Sequence, residues 1–392
     1  MTREIGHGSF QRRIAIMVGA GHVPGINAVI MGAARAASKL GWEVVGIRDG
    51  LDGLLHPEHY PEGGLVTLDP PLLESLDPTA AGLLGQAPRV DPFNVRTVNE
   101  DDMVEEVDLS DELLQKLRAE GVDALIAVVG GRGLTIMYKL HRKGLNVVCV
   151  PRSIENEIAG TMVSFGFNSA LSTTIELLDR VRQAAQAARK IGVVEVLGEQ
   201  AGWIALQAGI AVGADAVLIP EIPYDLQAVA SRLQDKLTSR RPHGLVVVAE
   251  GAKPLVVDGK PEEKASTLKA SLSPLATGDA SDHVIRRSGQ AAEAVANGLQ
   301  LQLASETFPM VMGPWVRGGA PTAVDRQLGL AYGAGAVRGL NAGKNGVMVA
   351  FVPPDIQFVP LAEAINKVRT VPADSLFVKI AQSLGICLGG KL

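Results

Sequence analysis

Cysteine is nearly missing: the 392 residues hold two, Cys149 and Cys387. Two are too few for a disulfide framework, and the usage suits a reducing, cytoplasmic setting. Aromatic residues make up only 4%, so any core must be aliphatic. There is no basic excess either, with 37 Lys and Arg against 42 Asp and Glu and a formal charge of -5. The cations are scattered rather than blocked, so the electrostatic footprint of nucleic-acid binding is lacking. No run approaches the roughly 18 apolar residues that a membrane-spanning helix needs. Arg12 and Arg13 before IAIMVGAG imitate a twin-arginine export signal. Gly21, His22, Pro24 and Asn27 break that run at once and suit a strand followed by a turn. The composition therefore predicts a soluble cytoplasmic protein without membrane or nucleic-acid partners.

What is present is aliphatic residue and glycine, 47% hydrophobic content with 44 glycines, enough for two cores and so two domains. Short apolar runs alternate with amphipathic stretches: RIAIMVG, NAVIMGAARAASKLG and WEVVGI, then DALIAVVGG, LTIMYKLHRKG and LNVVCVP. This rhythm predicts α/β architecture, parallel strands joined by right-handed helical crossovers. It resumes after Ser169 with ALSTTIELLDRVRQAAQAARK, IGVVEVLG, AGWIALQAGIAVGA, AVLIPE, DLQAVASRLQDKLTSRR and GLVVVAEGA. Residues 54–107, rich in Pro, Gly and acid, read as an excursion between domain elements with a hairpin at its end. Residues 253–283 read as an exposed loop.

Three strand ends carry glycine-rich turns: VGAGHVPGIN from Val18, VGGRGL from Val129 and VRGGAP from Val316. In an open parallel sheet, ligands bind beyond the carboxyl ends of the strands, where glycine lets backbone N–H groups approach a phosphate. VPRSIENEIAGT, from Val150, then places Arg152, Glu155 and Glu157 just beyond a buried strand. Two readings stand for this stretch. A carboxylate can accept a hydroxyl proton while an arginine grips phosphate oxygens, which is most of what phosphoryl transfer requires. Alternatively the three form a surface ion-pair cluster of little energetic consequence.

The order of these turns resembles the phosphofructokinase family from Ile14 to about Leu388. Ala20 to Asn27 resembles the family's G-G-D-x-P-G-x-N loop, Gly130 to Leu134 its G-G-D-G-S turn, and Pro151 to Glu157 its catalytic P-x-T-I-D-N-D. Val193 to Glu199 is similar to V-V-E-V-M-G-R, Ala201 to Leu206 to A-G-W-I-A-L, and Gly313 to Pro321 to G-H-x-Q-R-G-G-x-P. Val246 to Glu250 resembles the strand that ends in a sugar-binding glutamate. AGWIAL and VVVAEGA look most like the diphosphate-using and mixed-donor branch.

The resemblance implies two doubly wound, Rossmann-like domains of mostly parallel sheet with the active site in the cleft between them. Residues 1–166 and 317–365 would bind the phosphoryl donor, and 167–316 and 366–392 the sugar phosphate. Glu155 would be the base, with Arg152 and Glu157 beside it. Gly21, Gly130, Gly131, Arg132 and Gly133 would hold donor phosphates. Ser153, Lys190, Gly198, Glu199, Glu250 and Arg317 would line the sugar phosphate, fructose 6-phosphate by resemblance. Magnesium and a diphosphate or ATP donor are implied, as is a dimer or tetramer in which Lys190 crosses to the next subunit.

Several positions depart from the pattern. Arg132 replaces an aspartate that helps hold magnesium, leaving Glu157 as the metal carboxylate. Glu155 replaces the catalytic aspartate with a side chain one methylene longer. Glu199 replaces an arginine, Pro314 a histidine, and Phe308 an arginine that reaches the sugar phosphate. At the donor positions, Gly133 is ATP-like while the bulk of Arg152 suits a compact diphosphate. Two functions follow: a divergent phosphotransferase, or a catalytically impaired paralogue that acts by pairing with an active relative as a regulatory or structural subunit. His22 reads as a solvent-facing loop residue, and Trp203 and Trp315 as buried packing. The seven histidines show no metal-ligand spacing.

Overall fold

The computed structural model describes residues 12–80, 82–85, 91–98, 103–238, 242–255 and 289–390. Contacts divide the chain into two compact units. The first comprises Met1–Ile154, Ile158–Ser169 and Arg317–Lys367; the second comprises Glu155–Glu157, Ala170–Val316 and Val368–Leu392.

The first unit runs β1 (Arg13–Val18), α1 (Ile26–Lys39), β2 (Glu43–Ile47), α2 (Asp52–Leu55), β3 (Leu65–Thr67) and α3 (Pro70–Ser75). It continues with β4 (Val95–Val98), β5 (Val104–Val107), α4 (Ser110–Ala119), β6 (Ala124–Val129), α5 (Gly131–Arg142), β7 (Val147–Ser153) and β8 (Phe165–Gly166). In the second unit follow α6 (Phe167–Ala188), whose first residues belong to the first unit, β9 (Ile191–Val196), α7 (Trp203–Ala211), β10 (Ala216–Leu218), α8 (Leu226–Leu237), β11 (Gly244–Ala249), α9 (Gln290–Gln302) and β12 (Thr307–Val311). The chain returns to the first unit for α10 (Ala323–Asn341), β13 (Val347–Val352), β14 (Asp355–Pro360) and α11 (Leu361–Ala364), and ends in the second with α12 (Leu376–Ser383).

The larger sheet has the order β14-β13-β7-β6-β1-β2-β3. Its inner strands are parallel, and β3 and β14 are antiparallel edges. All six residues of β6, ALIAVV, are buried. Such a run without alternation is what a strand covered on both faces requires. The second sheet, β10-β11-β9-β12, is parallel throughout. Pro309 is tolerated in β12 because that strand is an edge with only β9 beside it. Helices cover each sheet with aliphatic side chains, among them Leu113, Leu134 and Met137 in the first unit and Val229, Val295 and Leu299 in the second.

The expected hairpin at the end of 54–107 is present as β4 and β5. The rest of that stretch is less of an excursion than its composition predicts. Leu65 to Thr67 pairs with β2 and joins the main sheet as β3. Most of the predicted loop 253–283 lies outside the described residues.

Candidate functional site

In the first unit β1, β6 and β7 lie side by side and parallel, with Val18 opposite Val128 and Val129 opposite Pro151. Their carboxyl ends therefore share one edge of the sheet. The turn after β1 begins with Gly19 donating to the Val128 carbonyl at 3.0 Å and reaches α1 through Gly25, whose φ of 100° favours glycine. The turn after β6 enters α5 at Gly130. A Cβ on Gly133 would lie 2.6 Å from Val129 Cβ, so the helix can start this close to its strand only with glycine there. Neither α1 nor α5 has a side chain capping its N-terminus, as suits helix starts whose N–H groups meet an anion.

Arg152 is buried at the end of β7, 7% exposed, which excludes a surface ion-pair role for it. Its guanidinium donates through Nη1 to the carbonyl of Gly21 and through Nη2 to that of Ala20. The arginine is thus a two-pronged fork on the backbone of the first glycine turn. His22, in that turn, is half-buried rather than solvent-facing. Burial, then the Arg152 charge, then that of Arg317, lower its pKa from 6.5, which keeps the imidazole neutral at neutral pH. Arg317 is half-buried, Arg132 is exposed in the first turn of α5, and Ser153 is buried with its carbonyl accepting from Ser164 Oγ at 3.1 Å.

The second unit contains Glu155 to Glu157. Glu155 and Glu157 are half-buried, and Asn156 between them adopts a φ of 59°, which Asn tolerates better than most residues. Arg369 fixes this turn: its N–H donates to the Glu157 carbonyl at 2.8 Å and its Nη1 to the Asn156 carbonyl at 3.3 Å. The guanidinium carbon of Arg369 stands 4.1 Å over the Trp203 ring, and Trp203 Nε1 donates to the Arg369 carbonyl at 2.8 Å. Trp203 is buried as expected, at 4% exposure, whereas Trp315 is 76% exposed. The short turn Gly313–Arg317 provides no core to receive that second indole.

Beyond β11, Glu250 Oε1 accepts from the Gly198 N–H at 3.3 Å. Glu199 is exposed, and its carbonyl would sit 2.0 Å from a Cβ on Gly251. Lys190 pairs with Glu306. Phe308, half-buried, packs over β9, with its Cζ 3.2 Å from a Cβ on Gly192. Two carboxylates outside the expected set organise this unit. Glu195, 2% exposed, accepts from the N–H groups of Gly289, Ala291 at 2.8 Å and Ala292 at 3.0 Å. Glu221 accepts from Gly202 at 3.1 Å and Val371 at 2.7 Å. Glu195 lies within VVEVLG, where an acid in a buried strand signals a buried partner.

For magnesium, these residues offer the Glu157 carboxylate while a guanidinium, Arg132, stands where the resemblance has a second anion. Among the described residues the one cluster of three ligating side chains is His56, Glu58 and His59, which belongs to none of these turns. The glycine turns of the first unit thus carry no carboxylate of their own for Mg2+, which favours carboxylate and water oxygens.

A family model described as phosphofructokinase matches residues 13–340. The chain is 35% identical over 391 residues to an ATP-dependent 6-phosphofructokinase of Chloroflexus aurantiacus, covering 98% of this chain and 99% of that one. It is 33% identical over 385 residues to ATP-dependent 6-phosphofructokinase 3 of Bacteroides thetaiotaomicron, covering 96% and 100%. Among solved structures, the pyrophosphate-dependent phosphofructokinase of Marinobacter aquaeolei matches with a TM-score of 0.71 at 20% identity, over 97% of this chain and 92% of that one. Phosphofructokinase from Saccharomyces cerevisiae matches with a TM-score of 0.70 at 23% identity, over 95% of this chain and 47% of that one. The fold is that of two Rossmann-like units, and the family model and the relatives at 33–35% identity make the chain a phosphotransferase of the phosphofructokinase type. The chain belongs to the phosphofructokinase family.

Proposed function

We propose that the chain transfers a phosphoryl group to a hydroxyl of a phosphorylated sugar, the first unit holding the donor and the second the sugar. The observation that carries this reading is the single sheet edge at which β1, β6 and β7 deliver two glycine-entered helices and a buried arginine. Backbone N–H groups there suit phosphate oxygens. Gly21, Gly130, Gly131 and Gly133 keep side chains out of that approach, and Arg132 adds a cation. Glu155 takes the proton of the attacking hydroxyl. As the sugar oxygen bonds to the terminal phosphorus, the bond to the bridging oxygen breaks and the shortened donor leaves with its electron pair. Glu157 supplies a second carboxylate one residue away. Glu250 and Ser153 suit sugar hydroxyls, and Arg317 suits a phosphate.

ATP is the donor in the names of the relatives at 33–35% identity, and their names make fructose 6-phosphate the first acceptor to try. A diphosphate donor is the second reading, favoured by Arg152: its buried bulk beside the first turn leaves less room for a nucleotide than glycine would. The family assignment also makes an oligomer with Lys190 at a neighbour's site a reasonable arrangement. Purified protein is incubated with fructose 6-phosphate, magnesium and either donor, and fructose 1,6-bisphosphate is followed. Turnover that falls about 100-fold or more in Glu155→Gln supports the enzyme. Absence of product with both donors, together with co-purification of an active paralogue, replaces it with a regulatory or structural subunit.

A further inference from the structure

Beyond the carboxyl end of β2 the chain forms α2 and then a single 3₁₀ turn, Pro57–His59. Phosphoryl transfer makes no use of this segment, yet it gathers three metal-ligating side chains. One ligand atom each from His56, Glu58 and His59 lie within 4.8 Å of one another. The His56 and His59 rings are stacked with centroids 5.1 Å apart, and His56 Nδ1 is 3.2 Å from Glu58 Oε1. The local sequence dictates this. Pro57 presets the first φ of the turn, and a three-residue repeat brings positions 56 and 59 onto one side. The histidine spacing alone, i and i+3, does not mark the pair as ligands; the turn and Glu58 between them do.

A second layer of side chains backs the cluster. His59 Nδ1 is 3.4 Å from Asp52 Oδ2. The Tyr60 hydroxyl donates to Asp52 Oδ2 at 2.8 Å and to Asp49 Oδ2 at 3.2 Å. Asp49 is itself fixed: its N–H donates to the Leu84 carbonyl at 2.7 Å, and a Cβ on Gly85 would fall 2.1 Å from its Oδ1. A carboxylate on one ring nitrogen is the arrangement that orients an imidazole toward a metal with its other nitrogen.

We propose that His56, Glu58 and His59 form a binding site for a divalent transition-metal ion of the Zn2+ type, with Asp52 orienting His59 from behind. Two imidazole nitrogens and one carboxylate oxygen suit Zn2+, Co2+ or Ni2+ and are a poor match for Mg2+. Ligand atoms about 2 Å from a tetrahedral ion lie about 3.3 Å apart, so the cluster must contract. The side chains of Glu58 and His59 are 65% and 58% exposed and that of His56 is 33% exposed, which leaves room for the small rotations required. The segment also abuts the root of the first glycine turn, since a Cβ on Gly50 would meet the Val18 carbonyl at 3.4 Å. A bound ion would tie α2, through Asp52, to the turn that carries His59.

The test uses the full chain stripped with chelator and titrated calorimetrically with Zn2+ alone, in excess Mg2+. One Zn2+ per chain is expected. The His56→Ala/His59→Ala double variant is expected to lose it, and Asp52→Asn to weaken it about tenfold. Co2+ binding is expected to intensify visible absorption in the parent chain and not in the double variant. Circular dichroism and thermal melts of the metal-free variants confirm that both remain folded. No saturable Zn2+ binding in the parent, equal binding in the double variant, or equal competition by Mg2+ each overturns the proposal.

Discussion

The buried charges that hold strand-end loops differ in sign between the first glycine turn and the second unit. In the first, a buried cation, Arg152, grips the carbonyls of Ala20 and Gly21. In the second, carboxylates grip N–H groups: Glu195 those of Gly289, Ala291 and Ala292, Glu221 those of Gly202 and Val371, Glu250 that of Gly198. The consequence is chemical. A loop secured by its carbonyls keeps its N–H groups for an anionic ligand, whereas a loop secured by its N–H groups has given them to the protein's own anions. A phosphate on the second unit must then be met by side-chain cations. There the chain has Glu199, Phe308 and Pro314 where the resemblance has two arginines and a histidine. The sugar side as we propose it is better furnished to recognise hydroxyls than a phosphate.

That contrast can be broken at either unit. Glu195→Ala removes three charge-assisted bonds at once and leaves the N–H groups at the start of α9 buried. At about 1.5–3 kcal/mol for each such bond, partly recovered by relaxation, a loss of about 4 kcal/mol is expected. Chemical denaturation followed by circular dichroism reads it. A loss under about 1 kcal/mol would mean that the carboxylate is not what anchors α9. Arg152→Ala removes two such bonds, and about 2–3 kcal/mol is expected. Arg152→Lys should recover only part of this, because one ammonium cannot reproduce a planar fork. Should Arg152→Ala leave stability unchanged while abolishing diphosphate binding in calorimetry, the guanidinium serves the ligand rather than the loop, and the contrast between the units disappears.

Much of this is legible in local sequence pattern. The unbroken apolar runs ALIAVV and VVCVP announce central parallel strands, and the glycines after Val18 and Val129 mark where helices begin against strands. What pattern does not supply is the partner. Glu195 is recognisable as an odd acid in a buried strand, yet the N–H groups that satisfy it lie 94 to 97 positions later. Arg369 reaches Trp203 across 166 positions. Glycines inside helices carry a second meaning as well. A Cβ on Gly32 of α1 would lie 2.3 Å from the Leu330 carbonyl of α10, and one on Gly333 of α10 would lie 2.2 Å from the Val29 carbonyl of α1. They permit a close crossing behind the first glycine turn, which a reading of glycine as turn-former overlooks. Trp315 shows the opposite error: hydrophobicity alone predicts burial, but the short turn that carries it has nothing to bury it in.

The first unit also seats exposed or half-buried carboxylates on N–H groups, and its buried one gives the subtlest test. Asp325, in the first turn of α10, is fully buried and accepts from Ser169 N and Oγ at 2.6 Å each. Burial raises its pKa above the ordinary 3.8 in spite of those bonds, which pull it down. A carboxyl whose folded pKa exceeds its unfolded one binds protons more tightly in the native state. Its contribution to stability is therefore greatest below the ordinary Asp range, is lost as pH climbs toward the raised value, and stays lost above it. Asp325→Asn keeps the shape and an acceptor oxygen without the titration. Denaturation midpoints measured from about pH 3 to pH 7 should show the variant gaining on the parent as pH rises through that window, with a constant difference beyond it. A change of the opposite sign would show that the Ser169 hydrogen bonds outweigh desolvation. The first unit would then tolerate a buried anion on N–H groups as readily as the second, and the sign of the staple would no longer distinguish them.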